Sequence, residues 1–187
     1  MRLTVWILAI AGIVLVSTPA RATVYLPADF SEMVAGSVFI VHGSVIDVRS
    51  EAIADRRRIV TFVTVNVVDR LKGAPAESVT FLVPGGQVGR YERVVVGAPQ
   101  FERGDEVVLF LSARGPSIPY VFGLSQGVYR VSRASGRPLV LPPAVLPPES
   151  AGGRIVRGDP ARRALPLEEF AREVRARTSD PALERRR

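Results

Sequence analysis

The 187-residue chain has no cysteine, one histidine (His42) and one lysine (Lys72) among its 25 basic residues. Without cysteine there is no disulfide, no thiolate metal ligand and no cysteine nucleophile. A single histidine excludes a multi-histidine metal centre. The glycine-rich stretch 84–90 is not followed by G-K-[ST], so it is no P-loop, and Asp47, Glu51 and Asp55 lack calcium-loop spacing. No cofactor motif and no metal-ligand set is therefore expected. The apolar run 3–16 is about 14 residues long, against the roughly 20 that a spanning helix needs. No transmembrane anchor is expected in the mature chain, and no cysteine follows the run to take a lipid.

What is present begins with an address. Arg2, the apolar run and Ser17-Thr18-Pro19-Ala20-Arg21-Ala22 have the order of a secretory signal: basic, apolar, then an A-x-A cleavage site. Cleavage is expected between Ala22 and Thr23, with export to the periplasm or the medium. The only tryptophan, Trp6, leaves with the signal. The remainder has a globular composition, with 47% hydrophobic and 23% charged residues overall. The net charge of +7 is unevenly placed: residues 23–153 carry +1 and residues 154–187 carry +4. A nucleic-acid-binding domain concentrates positive charge on its folded face, so nucleic acid is not an expected partner.

The mature chain reads as strands and turns. Segment 26–35 has Phe30, Met33 and Val34 at helical spacing, with Pro27 and Asp29 suited to a first turn. Segment 37–48 is β-branched and carries Gly43, the mark of a bulge or bend. In segment 59–71, Thr61, Val63, Val65 and Val67 alternate with Thr64, Asn66 and Arg70, the pattern of a half-buried antiparallel strand. Further strands are expected at 77–83, 91–96, 107–112, 120–123, 127–132 and 139–141. Short strands at this spacing, punctuated by Lys72-Gly73, Pro84-Gly85-Gly86 and Gly97-Ala98-Pro99, predict a sandwich or closed barrel. After Gly136 come Pro138, Pro142, Pro143, Pro147 and Pro148, an extended strap. Leu167, Phe170 and Val174 then form the apolar stripe of one amphipathic helix, with Pro166 in its first turn. Glu168 and Glu169 sit at its positive dipole end and Arg172 and Arg175 towards the other.

The expected organisation is a signal peptide at 1–22, a barrel domain at 23–136, a Pro/Gly-rich strap at 137–164, a helix at 165–177 and a disordered basic tail at 178–187. The fold class is mainly β: a single OB-like antiparallel barrel, closed or partly open, with a short N-terminal helix and a C-terminal amphipathic helix.

Four elements in order carry a resemblance: Lys72-Gly73 after the valine-rich strand, Pro84-Gly85-Gly86, the stretch from Phe101 to Leu111, and the stretch from Gly123 to Val131. Together they are similar to an uncharacterised family of exported bacterial β-barrel proteins. More distantly, segments 35–48 and 59–73 resemble the first two strands of the OB-fold netrin-like modules, whose familiar members are the tissue inhibitors of metalloproteinases. The resemblance implies a barrel, and an inhibitor or accessory of an exported metalloprotease as an alternative function. Those inhibitors chelate zinc through an N-terminal cysteine; here the expected first residue is Thr23 and cysteine is absent.

Candidate chemistry is sparse. Gly123-Leu124-Ser125-Gln126-Gly127 matches the nucleophile-elbow pattern, but that elbow joins a strand to a helix, and here a strand follows. The pattern reads better as a hairpin or bulge. The order His42, Asp105, Ser125 would suit a trypsin-like triad, whose enzymes need two barrels. His42 in an apolar strand reads as a locally hydrogen-bonded histidine, and Asp105-Glu106 as a turn. A small serine hydrolase is thus the least favoured function, and no catalytic residue is assigned. The expected function is a non-enzymatic, exported binding module for a protein or cell-envelope component. Arg90, Tyr91 and Arg93, beside a glycine-rich loop, together with Gln126, are the expected binding residues.

Overall fold

The computed structural model describes residues 28–53, 58–115, 117–134, 136–143 and 163–179. The expected signal with its Ala22–Thr23 junction, Pro27, Asp55, most of the strap and the tail beyond residue 179 lie outside the described residues. Among the described residues, no helix is long and apolar enough to cross a membrane.

The chain is mainly β. Helix α1 (Phe30–Gly36) leads into two long strands, β1 (Phe39–Ile53) and β2 (Arg58–Lys72), and then β3 (Ser78–Pro84). A small hairpin follows, β4 (Gly86–Val88) and β5 (Tyr91–Arg93). Strand β6 (Glu106–Ser112) precedes β7 (Tyr120–Val121), a 3-10 turn (Leu124–Gly127) and β8 (Val128–Ser132). Strands β9 (Leu139–Leu141) and β10 (Leu165–Pro166) and helix α2 (Leu167–Thr178) complete the fold.

Five of these strands form a ring. β1 pairs antiparallel with β2 and β6, β2 with β3, and β6 with β7. β7 returns parallel to β3 through a single residue pair, Leu82 with Tyr120. The ring is an OB-like barrel, nearly closed, with its weakest seam at β3–β7. The alternation along β2 behaves as expected: Val63 and Val65 are fully buried and Asn66 is exposed.

Strand β6 is covered on both sides, which is why its sequence does not alternate. Val107, Leu109 and Leu111 pack inside the barrel with Val41, Val63 and Phe81. Val108 and Phe110 face outward into a second cluster with Phe30, Tyr129 and Phe170. Both helices sit on this outer face. Phe170, Ala171 and Val174 of α2 are buried there, with Leu167 packed beside them. Burying a large apolar side chain such as these stabilises by roughly 1.5–3 kcal/mol before entropic losses. Arg175 of α2 adds bonds of 2.7 Å to both carboxylate oxygens of Asp69 on β2.

Helix α1 is short, and its position is fixed by its last carbonyls, which an α-helix leaves without internal partners. Ser37 donates its backbone N–H and its hydroxyl to Met33, Lys72 donates its ammonium to Val34 and Ala35, and Ser112 donates its hydroxyl to Gly36. Thus Lys72 of the Lys72-Gly73 signature caps a helix from the end of β2, a use that also suits the negative end of the helix dipole.

Four expectations need correction. The segment 91–96 is a strand only at Tyr91–Arg93, and part of the glycine-rich loop, Gly86–Val88, pairs with it as β4. The first helix begins at Phe30, with Asp29 before it as N-cap. Pro166 lies ahead of α2 rather than in its first turn: it is extended (φ −54°, ψ 140°) and pairs with Leu139. Leu165 and Pro166, expected as the start of that helix, instead form β10, which pairs with β9 within the strap and so extends the sheet past β8.

Candidate functional site

The site starts at Pro84, where β3 stops pairing with β2 and two glycines turn the chain across the end of the barrel. Thr61 of β2 donates its hydroxyl to the Gly85 carbonyl at 2.8 Å, and Ser50 of β1 lies 2.9 Å from the same Thr61 oxygen. Thr61 has spent its one hydrogen on Gly85, so Ser50 is the donor between the two hydroxyls. Gly86 then runs directly over this pair, where an added Cβ would stand 2.3 Å from Thr61 Oγ1. At the tip, Gly89 has φ +59° and Arg90 does not share the positive φ, the pattern of a type II′ hairpin turn with glycine in its first central position.

Beyond β5 the chain doubles back through residues 94–101. It encloses a cleft of about 280 Å³ against the hairpin. The floor is Val48, Ser50, Thr61 and Val83, and Arg93, Val95 and Phe101 contribute to the walls. A smaller groove of about 220 Å³ lies on the other side of Pro84 and Pro99, lined by Leu82, Tyr120 and Leu124. Beside these recesses stand Val94, 76% exposed, and Val96, 79% exposed. Two aliphatic side chains exposed beside preformed recesses make this end of the barrel the candidate site.

The structure brings three of the four expected binding residues to this hairpin. Arg90 donates to the Tyr91 hydroxyl at 3.0 Å, its guanidinium 5.1 Å from the ring centre, so the two act as one cationic-aromatic tip. Arg93 lines the cleft. Gln126 does not join them. It is 6% exposed and its Oε1 accepts the Ala28 N–H at 2.6 Å, anchoring the approach to α1. Sequence reasoning missed Val94 and Val96. The available signal was Val94-Val95-Val96 itself: in an alternating strand, three consecutive valines cannot all face the core.

The Gly123-to-Gly127 stretch works as a fork. β7 and β8 both pair with the same edge of β6, at Leu111 and at Leu109, and the intervening residues loop out as a 3-10 turn. One arm goes to β3 and closes the barrel; the other carries β9, β10 and α2. Gly127 sits where a Cβ would meet the Phe122 carbonyl at 2.7 Å and the Phe110 carbonyl at 3.0 Å. The stretch is a looped-out 3-10 turn between two strands on one edge of β6, not a strand-to-helix elbow.

His42, Asp105 and Ser125 are each engaged separately. Asp105 accepts the Glu102 N–H at 2.9 Å and Arg130 at 2.7 Å, holding the turn before β6. Ser125 is tied through its backbone N–H to Gly97. His42, nearly buried, lies 2.9 Å from Glu106, and Glu106 takes both forks of Arg133 at 2.6 and 2.7 Å. Thus Glu106 is not a turn residue but the centre of a three-residue network joining β1, β6 and the end of β8. Arg133 in the first place, and His42 with it, hold the Glu106 carboxyl below the usual carboxylate range, while partial burial opposes them. A carboxylate with a folded pKa below its unfolded one stabilises at pH values above the unfolded pKa, and that stabilisation is lost as pH falls through the folded pKa. Replacing Glu106 by Gln should therefore lower stability by about 1 kcal/mol at neutral pH. The difference should shrink as pH drops through and below the usual carboxylate range. Urea unfolding of both proteins across this range checks it; a pH-independent difference would assign the loss to packing.

Among the described residues, no group of three or more His, Cys, Asp and Glu is placed to hold a metal ion. No protein-family model, curated protein or solved structure matches the chain.

Proposed function

We propose that the chain is an exported, non-enzymatic binding module that holds a partner protein at the hairpin end of its barrel. The observation that carries this reading is the pairing of two largely exposed valines, Val94 and Val96, with a preformed cleft on a rigid scaffold. The two tight turns, the hydroxyls that tie Gly85 to β1 and β2, and the 94–101 segment hold the recess open before any ligand arrives, which limits the ordering entropy of binding. The rim supplies an arginine-tyrosine tip, residue types enriched where binding energy concentrates. Reaction chemistry has less support, because His42, Asp105 and Ser125 have separate structural partners.

The test is site-specific photo-crosslinking in the cells that make the protein, with a photoreactive residue at Val96. As a control the probe is placed at Val68, which is 64% exposed on β2. The expected result is a discrete, saturable protein adduct at Val96 and none at Val68. Changing Val94 to Arg should reduce the adduct about tenfold, through the loss of one buried contact and the burial of a charge. Equal labelling at both positions would remove the basis for this reading. N-terminal sequencing of the exported chain should begin at Thr23.

A further inference from the structure

We propose that the outer edge of β5 accepts an extended acidic and apolar segment of the partner protein as an additional strand. The inference rests on the binding reading above and specifies the form of the partner.

The register of the hairpin decides which backbone groups face outward. Val88 faces Tyr91 across the two-residue turn, Gln87 faces Glu92, and Gly86 faces Arg93. In an antiparallel pair, hydrogen-bonded and non-bonded pairs alternate, and the residues flanking a two-residue turn are a bonded pair. Val88 with Tyr91 and Gly86 with Arg93 are therefore the bonded pairs. The N–H and C=O of Glu92 point the other way, out of the small sheet. Among the described residues, β5 pairs with β4 alone. The edge is exposed from Tyr91 through Val94. The edge is short, Tyr91–Arg93, and it carries neither proline nor lysine, two of the residues that commonly blunt sheet edges.

The side chains set the chemistry of the incoming strand. Arg90 and Arg93 flank a single acid, Glu92, so an incoming segment with aspartate or glutamate is complementary. Tyr91 on the edge and Val94 just past it, both exposed, favour apolar residues in the same segment. Glu92 and Arg93 line the cleft as well as forming this edge, and Val94 and Val95 line it just beyond. One side chain of the added strand can thus enter the cleft, which is how strand addition obtains affinity from the main chain and selectivity from a pocket. A second copy of this chain is the poorer occupant, because its own hairpin brings the same two arginines to the shared sheet.

The experiment uses the full mature chain and two short fluorescent peptides, one alternating valine and aspartate, the other valine and lysine. Fluorescence anisotropy should show the aspartate peptide binding at least about tenfold more tightly. Glu92→Pro removes the outward N–H but none of the hairpin's own bonds, a position where proline is tolerated in an edge strand. It should bind about tenfold more weakly than Glu92→Ala, which also lacks the carboxylate but keeps the outward N–H. Circular dichroism of Glu92→Pro shows whether the barrel is intact. If it is not, the double variant Arg90→Glu with Arg93→Glu decides instead, and its preference should reverse to the lysine peptide. Equal binding of the two peptides, binding of neither, or a folded Glu92→Pro variant that binds as tightly as Glu92→Ala would overturn the proposal. A Val96 adduct that survives Glu92→Pro would leave the binding module standing and remove strand addition; absence of a Val96 adduct in the unaltered protein would remove both.

Discussion

Truncating Phe110 to alanine is expected to destabilise the protein by about 3–5 kcal/mol, the range for removing a fully buried aromatic side chain. Phe110 has no solvent exposure and stands where four elements meet. Its ring centre lies 5.7 Å from Phe30 of α1, 5.4 Å from Tyr129 of β8 and 6.4 Å from Phe170 of α2. The three neighbours hold one another as well, with Phe30 and Phe170 5.6 Å apart and Tyr129 and Phe170 4.9 Å apart. Such a cluster cannot collapse into the space left by one ring without moving a helix, so most of the cavity term should be retained. Total stability of a domain this size is of order 5–15 kcal/mol, so the variant should reach its unfolding midpoint in much milder urea. Hydrogen exchange should also show α2 opening first, because Phe170, one of its buried anchors with Ala171 and Val174, loses a packing partner. A loss below about 1 kcal/mol would mean that the outer cluster is not a core but a surface contact.

The same cluster shows what sequence pattern can and cannot reveal. Along β2, alternation of Val63 and Val65 with Thr64 and Asn66 identifies both the strand and its inner face, because burial on one side imposes period two. Along β6 the run Val107 to Leu111 identifies a buried segment but not what covers each face; that depends on α1 and α2, which are distant in the chain. The amphipathic stripe of α2 was legible for the same reason as β2. Its docking partner was not, since Asp69 and Arg175 are separated by 106 positions. The parallel seam between β3 and β7 rests on one residue pair and has no periodic trace. The place of Arg90, Tyr91 and Arg93 on an exposed hairpin was legible because glycine-rich turns with bulky polar neighbours favour such tips. Gln126 was misplaced for a physical reason: an amide beside two glycines resembles a loop side chain, yet here it is buried while accepting a backbone N–H. The Glu106 network was hidden, because its members lie 64 and 27 positions away.

Substituting Gly43 is expected to have an effect as large as losing Phe110, by the opposite mechanism. β1 and β2 shift register between His42 and Gly43, so two strands of the barrel approach unusually closely there. An alanine Cβ at position 43 would stand 2.2 Å from the Asn66 carbonyl oxygen and 2.6 Å from a Val65 methyl. The methyl can move with its side chain; the carbonyl belongs to the β2 backbone and can yield only if the β1–β2 ladder parts. Over-packing of a core costs about 1–3 kcal/mol where side chains can adjust. A clash with backbone should reach or exceed the upper end of that range, and Gly43→Val should exceed Gly43→Ala. The displacement would not remain local. Gly43 pairs with Val107 on its other side, and its neighbour His42 is bonded to Glu106. Separating β1 from β2 therefore disturbs the Glu106–Arg133 contact as well. Gly43→Ala should accordingly lose much of the acid-dependent part of stability that Glu106 contributes, in addition to its loss at neutral pH. Paired urea titrations at neutral and acidic pH measure both. If Gly43→Ala proved as stable as the unaltered protein, the close crossing of β1 and β2, and with it the curvature that brings β1 around to β6, would have to be abandoned.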